Sequence, residues 1–353
     1  MSDNGTPPAM VSVLGTIGRT PAVWLSRLGA GLPGRVLLKL ELANPGGSIK
    51  DRAALACLEA AEARGDLQPG GTVVELTSGN MGIGLAIVCA IKGYRLIAVM
   101  SEGNSPERRQ TLAAYGAEIE LVPQMPGGVP GQVSGADLEL VEQRTRELVR
   151  SLGAWRPDQF TNPDNPAAHE ATTGPELWHQ AGGRPGALTA FVAIVGTGGT
   201  FVGVARALKR CDPAIACYAV EPAGAPVLAG QPVTNPGHKL QGAGYAFVPP
   251  AWDAALCAGA MTVSDEEAME TARRLARREG VLGGFSTGAN VAAALQLAAA
   301  VDPGAVIATI ACDTGLRYGS TDLFDSGLAS APTIPRERRA ISPKIRGRGL
   351  SAD

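Results

Sequence analysis

The sequence predicts an α/β fold in two domains, built on mainly parallel twisted sheets flanked by helices. Three observations lead there. The chain has 353 residues, beyond the roughly 250 to 300 at which a single hydrophobic core stops growing, so two lobes with a cleft between them are expected. Short apolar runs alternate along it with longer stretches of helical period. Four glycine-rich turns follow or precede the apolar runs, which marks strand–helix junctions.

The strands, in order, are "RVLLKLEL" (35–42), "GTVVEL" (71–76), "RLIAVM" (95–100), "EIELVP" (118–123), "FVAIVG" (191–196), "ACYAVEP" (216–222) and "AVIATIACD" (305–313). Each is apolar on both faces, as a parallel strand covered by helices must be. Between them "RAALACLEAAEARG", "GIGLAIVCAIKG", "SPERRQTLAAYG", "FVGVARALKR" and "EEAMETARRLARREG" read as helices. The stretches 124–143, "QMPGGVPGQVSGADLELVEQ", and 230–253, "GQPVTNPGHKLQGAGYAFVPPAWD", are long loops of the kind that carry function. Residues 331–353 are basic and proline-rich with little to bury, and read as a flexible tail.

With 31 basic and 33 acidic residues the net charge is -2, so no global field draws in nucleic acid or a membrane surface, and the partner is expected to be small. Cys57, Cys89, Cys211, Cys217, Cys257 and Cys312 lie far apart in mostly apolar segments; they read as buried thiols of a reducing compartment. "MSDNGTPPAM" has no secretory pattern and no charge-free apolar run reaches about 18 residues, which predicts a cytoplasmic protein. His169, His179 and His238 lack ligand spacing, so no metal is expected.

The glycine-rich turns carry the chemistry. In "VGTGGTFVGVARALK" a strand runs into Gly196, Thr197, Gly198, Gly199 and Thr200 and then a helix. Glycines let backbone N–H groups approach an anion, the helix N-terminus adds partial positive charge, and two hydroxyls add donors. No Walker lysine follows and the dinucleotide spacing fits poorly, so the cup suits one phosphate, with a plain tight turn as the alternative. In "ELTSGNMGIGLA" the residues Thr77, Ser78, Gly79 and Asn80 open a helix with more polar groups than one cap needs, which suits a carboxylate. In "GGFSTGAN", Ser286 and Thr287 at a helix start are by themselves most simply an N-cap. In "NPGGSIKDRAA", Lys50 follows a Gly-Gly-Ser turn. Alone it would be a solvated side chain; beside a monophosphate cup and a carboxylate cradle it looks like an amine that forms a Schiff base, its basicity lowered by a desolvated pocket.

From "GTIGRTPAVWLSRL" to "DTGLRYGSTDLF" the chain resembles the cysteine synthase and cystathionine β-synthase family, the fold type II pyridoxal-phosphate enzymes. The resemblance implies a larger cofactor-binding domain of residues 1–44 and 156–330, a smaller mobile substrate-binding domain of residues 45–155, and a homodimer. It implies that Lys50 holds pyridoxal 5'-phosphate as a Schiff base and shuttles the substrate α-proton. It assigns the substrate carboxylate to Thr77, Ser78 and Asn80, with Asn80 also facing the pyridoxal 3'-oxygen, and to Gln159 of "DQFTNPDNP". "GTGGT" becomes the phosphate loop, and Ser286 faces the pyridine nitrogen. A serine hydroxyl cannot keep that nitrogen protonated, so the cofactor is a weaker electron sink and loss of a β-substituent is preferred. The reaction implied is β-replacement on O-acetylserine or O-phosphoserine by a sulfur nucleophile, through an α-aminoacrylate, giving L-cysteine or a close relative. S-sulfocysteine synthesis from thiosulfate and a cysteine desulfhydrase are the alternatives. The chain departs from the pattern at Met81, where threonine is usual, at "MSEGNSPERRQTL", at bulky Tyr245 in "QGAGYAFVP", and in the longer 124–143 stretch. These changes surround the pocket that selects leaving group and nucleophile.

Overall fold

The computed structural model describes residues 9–127, 133 and 135–325. In chain order these form β1 (Ala22–Trp24), β2 (Arg35–Leu40), α1 (Lys50–Arg64), β3 (Thr72–Leu76), α2 (Asn80–Lys92), β4 (Arg95–Ser101), α3 (Pro106–Ala114), β5 (Glu118–Val122) and α4 (Gly135–Leu152). There follow α5 (Asp164–Ala168), α6 (Gly174–Gln180), β6 (Ala190–Ile194), α7 (Gly199–Cys211), β7 (Ala216–Pro222), β8 (Gly259–Val263), α8 (Asp265–Glu279), α9 (Phe285–Ala300) and β9 (Val306–Ala311). The expected tail at 331–353 lies outside the described residues.

Two sheets result. Six strands run in the order β1-β2-β9-β6-β7-β8 and three in the order β3-β4-β5. Only β1 is antiparallel to its neighbour; every other pairing is parallel. The reason is burial: β6 and β9 are buried at every position, and strands covered on both faces are joined by helical crossovers. One apolar cluster holds Leu38, Val192, Ile307 and α9; a second, on the small sheet, holds Leu58, Val73, Leu85 and Met100.

Local chemistry sets the helix ends. Ser264 and Glu267 form a reciprocal capping box at the start of α8, and Gly280, at φ 74°, ends it. The run predicted as a strand over 35–42 stops at Leu40, because Glu41 turns inward into a 3-10 turn to meet the buried Arg52 guanidinium, Oε2 to Nε at 2.7 Å. β1 and β8, both edge strands, escape the sequence reading; three and five residues with mixed burial carry little periodic signal. The thiols are also less uniform than expected. Cys57, Cys89 and Cys217 are buried, but Cys211 is exposed at the last turn of α7 and Cys257 and Cys312 are half-buried.

Candidate active site

Lys50 is the first residue of α1, and the turn before it explains the glycines. The Gly46 N–H donates to Asp51 Oδ2 at 2.5 Å, and a Cβ on Gly46 would lie 2.4 Å from Asp51 Oδ1. Gly47 takes the left-handed conformation at φ 70°. The turn is stitched to the end of β9 by a bridge between Ser48 and Asp313 and by the Ile49 N–H donating to the Cys312 carbonyl at 2.9 Å. Two residues on, Arg52 is buried between Glu41 and Glu176, with Lys39 reaching Glu176 at 2.7 Å. The start of α1 is thereby anchored against β2 and α6.

The Lys50 side chain faces a cavity of about 1660 Å³. Burial pushes its amine below the usual lysine range, and the thiol groups of Cys312 and Cys57 oppose this only in part. Thr77, Ser78, Asn80, Met81, Gln159, Gly196, Thr197, Gly198, Thr200 and Ser286 line the same cavity. Residues from every glycine-rich turn singled out in the sequence thus meet in one place. Gly199 is the exception: it does not line the cavity but packs against Asn165, whose Oδ1 would lie 2.3 Å from an added Cβ.

The turn after β6 is shaped for close approach. Gly198 sits at φ 85° as the N-cap of α7 and supplies no side-chain cap, and a Cβ on Gly196 would meet the Gly242 carbonyl oxygen at 2.3 Å. The first N–H groups of α7 have no intrahelical acceptor and carry the positive end of the helix dipole. Thr197 Oγ1 accepts from Asn165 Nδ2 at 3.1 Å, which fixes that side of the cup.

The turn after β3 presents Thr77, Ser78 and Gly79 before Asn80 opens α2. An added Cβ on Gly79 would meet nothing within 4 Å, so this backbone borders open space. Asn80 Nδ2 donates to Asp313 Oδ2 at 2.8 Å, and Arg317 donates to Asn80 Oδ1. Burial holds the Asp313 carboxyl above its ordinary range against the bonds from Tyr318 and Asn80. Arg108 of α3 donates to Ser78 Oγ at 3.3 Å and also reaches Gln241. Met81 is buried at the cavity wall.

Ser286 corrects the simplest reading of its sequence. The N-cap of α9 is Gly284 and makes no side-chain cap, so the serine is not a cap residue. Its hydroxyl lines the cavity and donates to the Gln241 carbonyl at 3.3 Å, while Thr287 Oγ1 accepts the Cys312 N–H at 3.0 Å. Asp313, Arg317, Arg108 and Gln241 are site residues the sequence reading did not assign. The "DTGLRY" segment holding two of them marked only the end of the resemblance.

A desolvated amine, a glycine cup at a helix N-terminus, a polar turn for a carboxylate and a hydroxyl beyond them are a donor set that fits a phosphorylated pyridine aldehyde. Together with the two parallel sheets, that set defines an enzyme that works through a lysine-held aldehyde cofactor. The chain belongs to the pyridoxal-phosphate dependent enzyme family, whose model matches residues 13–313. It is 45% identical over 312 residues to a cysteine synthase of Staphylococcus aureus, a match covering 87% of this chain and 95% of the relative. Its fold is similar to that of an O-ureido-L-serine synthase, with a TM-score of 0.82 and 40% identity, covering 92% of this chain and 98% of the other. An O-acetyl serine sulfhydrylase isoform 3 from Entamoeba histolytica gives a TM-score of 0.83 at 33% identity, covering 91% and 94%. The family and fold class read from the motifs therefore hold.

Proposed function

We propose that this enzyme replaces the β-substituent of an O-activated L-serine, O-acetylserine or O-phosphoserine, by a sulfur nucleophile to give L-cysteine or a close relative. One observation carries the reading: the amine of Lys50, desolvated and of lowered basicity, opens onto the same cavity as the polar turn Thr77–Asn80. A cysteine synthase 45% identical over most of the chain supports it and favours replacement over thiosulfate use or net elimination.

When bound, pyridoxal 5'-phosphate supplies the electron sink that makes the substrate α-proton acidic and the β-substituent labile. The chain's own residues do the rest. Gly196, Thr197, Gly198 and Thr200, which line the cavity, would hold the phosphate through backbone N–H groups and hydroxyls, with Gly199, packed on Asn165, starting the helix behind them. Ser286 offers a neutral hydroxyl to the pyridine nitrogen, and Asn80 faces the 3'-oxygen. Thr77, Ser78, Asn80 and Gln159 bind the substrate carboxylate, and Met81 closes the wall beside them without adding a hydroxyl. Lys50 Nζ, its basicity lowered by burial, takes the proton from the substrate α-carbon and later returns it. In the net reaction the Cβ–O bond breaks, a Cβ–S bond forms, and the thiol proton leaves with the acetate or phosphate.

The segments 1–44 and 156–330 serve as the cofactor-binding domain and 45–155 as the smaller substrate-binding domain, in a cytoplasmic homodimer. Among the described residues no helix is long and apolar enough to cross a membrane. The deciding experiment incubates the cofactor-loaded enzyme with each donor and with sulfide, scoring product by mass. Cysteine formation from at least one donor is expected. The absence of product from both donors, with sulfide and with an organic thiol alike and with cofactor bound, would refute the proposal.

A further inference from the structure

The mouth of the cavity carries three aromatic rings. Phe160 packs edge-on against Tyr245 with centroids 5.2 Å apart, Phe247 lies 5.8 Å from Phe160, and Tyr245 and Phe247 are 6.1 Å apart. All three line the cavity that holds Lys50. Yet Tyr245 is 39% and Phe247 48% exposed, and Leu316, which lines the same cavity, is 78% exposed. Between the two exposed rings Ala246 is held in the left-handed region at φ 59°, a conformation costly for a residue with a Cβ and kept mainly where its surroundings impose it.

Such a mouth is poorly matched to inorganic sulfide. A small hydrated anion loses water on entering, finds the Tyr245 hydroxyl as the one polar group among the three rings, and meets the negative faces of their π systems. An aromatic or aliphatic body gains from the same surface through apolar burial and edge-to-face packing. Resting on the β-replacement reading, we propose that Phe160, Tyr245 and Phe247 form a vestibule selecting a thiol borne on an apolar or aromatic body as the second substrate.

The test uses the cofactor-loaded enzyme, whichever of O-acetylserine and O-phosphoserine it accepts, and two thiols of similar size of reacting group: phenylmethanethiol and 2-mercaptoethanol, with sulfide as reference. The expected KM for phenylmethanethiol is at least tenfold below that for 2-mercaptoethanol. Tyr245→Ala and Phe247→Ala should each remove most of that ratio, and Tyr245→Phe should retain it. A readout independent of turnover is calorimetric binding of benzyl alcohol, which has the body without the thiol; it should weaken at least fivefold in both alanine variants. Equal KM values for the two thiols, or a ratio unchanged in both alanine variants, overturns the proposal. So does benzyl alcohol binding that falls away as protein concentration rises, since a second copy would then cover the rings. Product with sulfide but no thiol preference sinks only this inference. No product with any nucleophile sinks the β-replacement reading, and benzyl alcohol binding still decides the vestibule.

Discussion

The Asn80 carboxamide nitrogen donates to Asp313 Oδ2 at 2.8 Å, joining the start of α2 to the end of β9 across 233 residues of chain. The same carboxylate oxygen accepts the Tyr318 hydroxyl at 2.6 Å, and Arg317 holds the oxygen end of the carboxamide. Asn80 therefore has a single orientation, set by groups at least 233 residues away in the chain. Asp313→Ala is expected to raise the KM for the amino-acid donor about tenfold with a smaller change in kcat. It should also lower stability by about 1–3 kcal/mol, because the Tyr318 hydroxyl loses its buried acceptor. Asp313→Asn, which keeps an acceptor, should recover most of both. Steady-state kinetics with urea unfolding checks this; an unchanged KM in the alanine variant contradicts it.

Lys50→Ala is expected to abolish the visible absorbance of the lysine-held cofactor and to lower turnover by at least about 10³-fold, since it removes both tether and proton carrier. Thermal stability without cofactor should change little, because the buried amine is a desolvated group whose removal relieves a burial cost. Absorbance spectra and a melting curve test the two halves separately.

Gly196→Ala puts a Cβ against the Gly242 carbonyl oxygen, backbone that has little room to move. The cup must shift, so cofactor affinity should fall at least tenfold while the substitution leaves Lys50 itself in place. Fluorescence titration of the cofactor-free protein with pyridoxal 5'-phosphate measures it; wild-type affinity would refute the role given to this turn.

Arg52 lies buried between Glu41 and Glu176. Arg52→Met removes the cation between Glu41 and Glu176 and leaves the buried Glu41 carboxyl with only the Thr20 hydroxyl and the Asn44 carboxamide as side-chain donors, which costs about 3–5 kcal/mol. The urea midpoint should drop accordingly, and the loss should shrink in the double variant Arg52→Met with Glu41→Gln. Additive losses would argue against the pair.

Glu75, buried beneath the Thr77 turn, has its carboxyl pushed up to about 7 by burial, despite Arg156 at 3.4 Å, with Asp158 adding to the rise. Its folded pKa lies above the unfolded value, so its favourable contribution is complete below about pH 4.5 and is lost as pH rises to about 7. The cost above that pH is on the order of 3–4 kcal/mol. Glu75→Gln should therefore flatten the fall in stability between about pH 4.5 and 7, measured by urea unfolding across that range. An unchanged pH profile would show that Glu75 stays ionised throughout.

Much of this protein was legible locally. Apolar runs marked seven strands, and β6 and β9 show why, being buried at every position; β5 departs from the expectation of two apolar faces, since as an edge strand it exposes Glu118 and Leu121. The turns at Lys50, Thr77 and Gly196 announced themselves because glycine is required where a backbone approaches another atom closely, and those requirements are local. Ser286 was ambiguous for the same reason: a serine near a helix start looks like a cap until the true cap, Gly284, is seen. β1 and β8 were missed because short edge strands need not be apolar on both faces.

The sequence by itself determined the fold class, the family and the residue types at the chemical centre, since each is encoded in contiguous motifs of fixed spacing. Only the tertiary structure decided which distant groups act on them: Asp313 and Arg317 on Asn80, Gln241 on Ser286 and Arg108, and Phe160 on Tyr245. The physical reason is that hydrogen bonds and ring contacts depend on distance in space, and the parallel sheets bring together chain ends that no local pattern of residues connects.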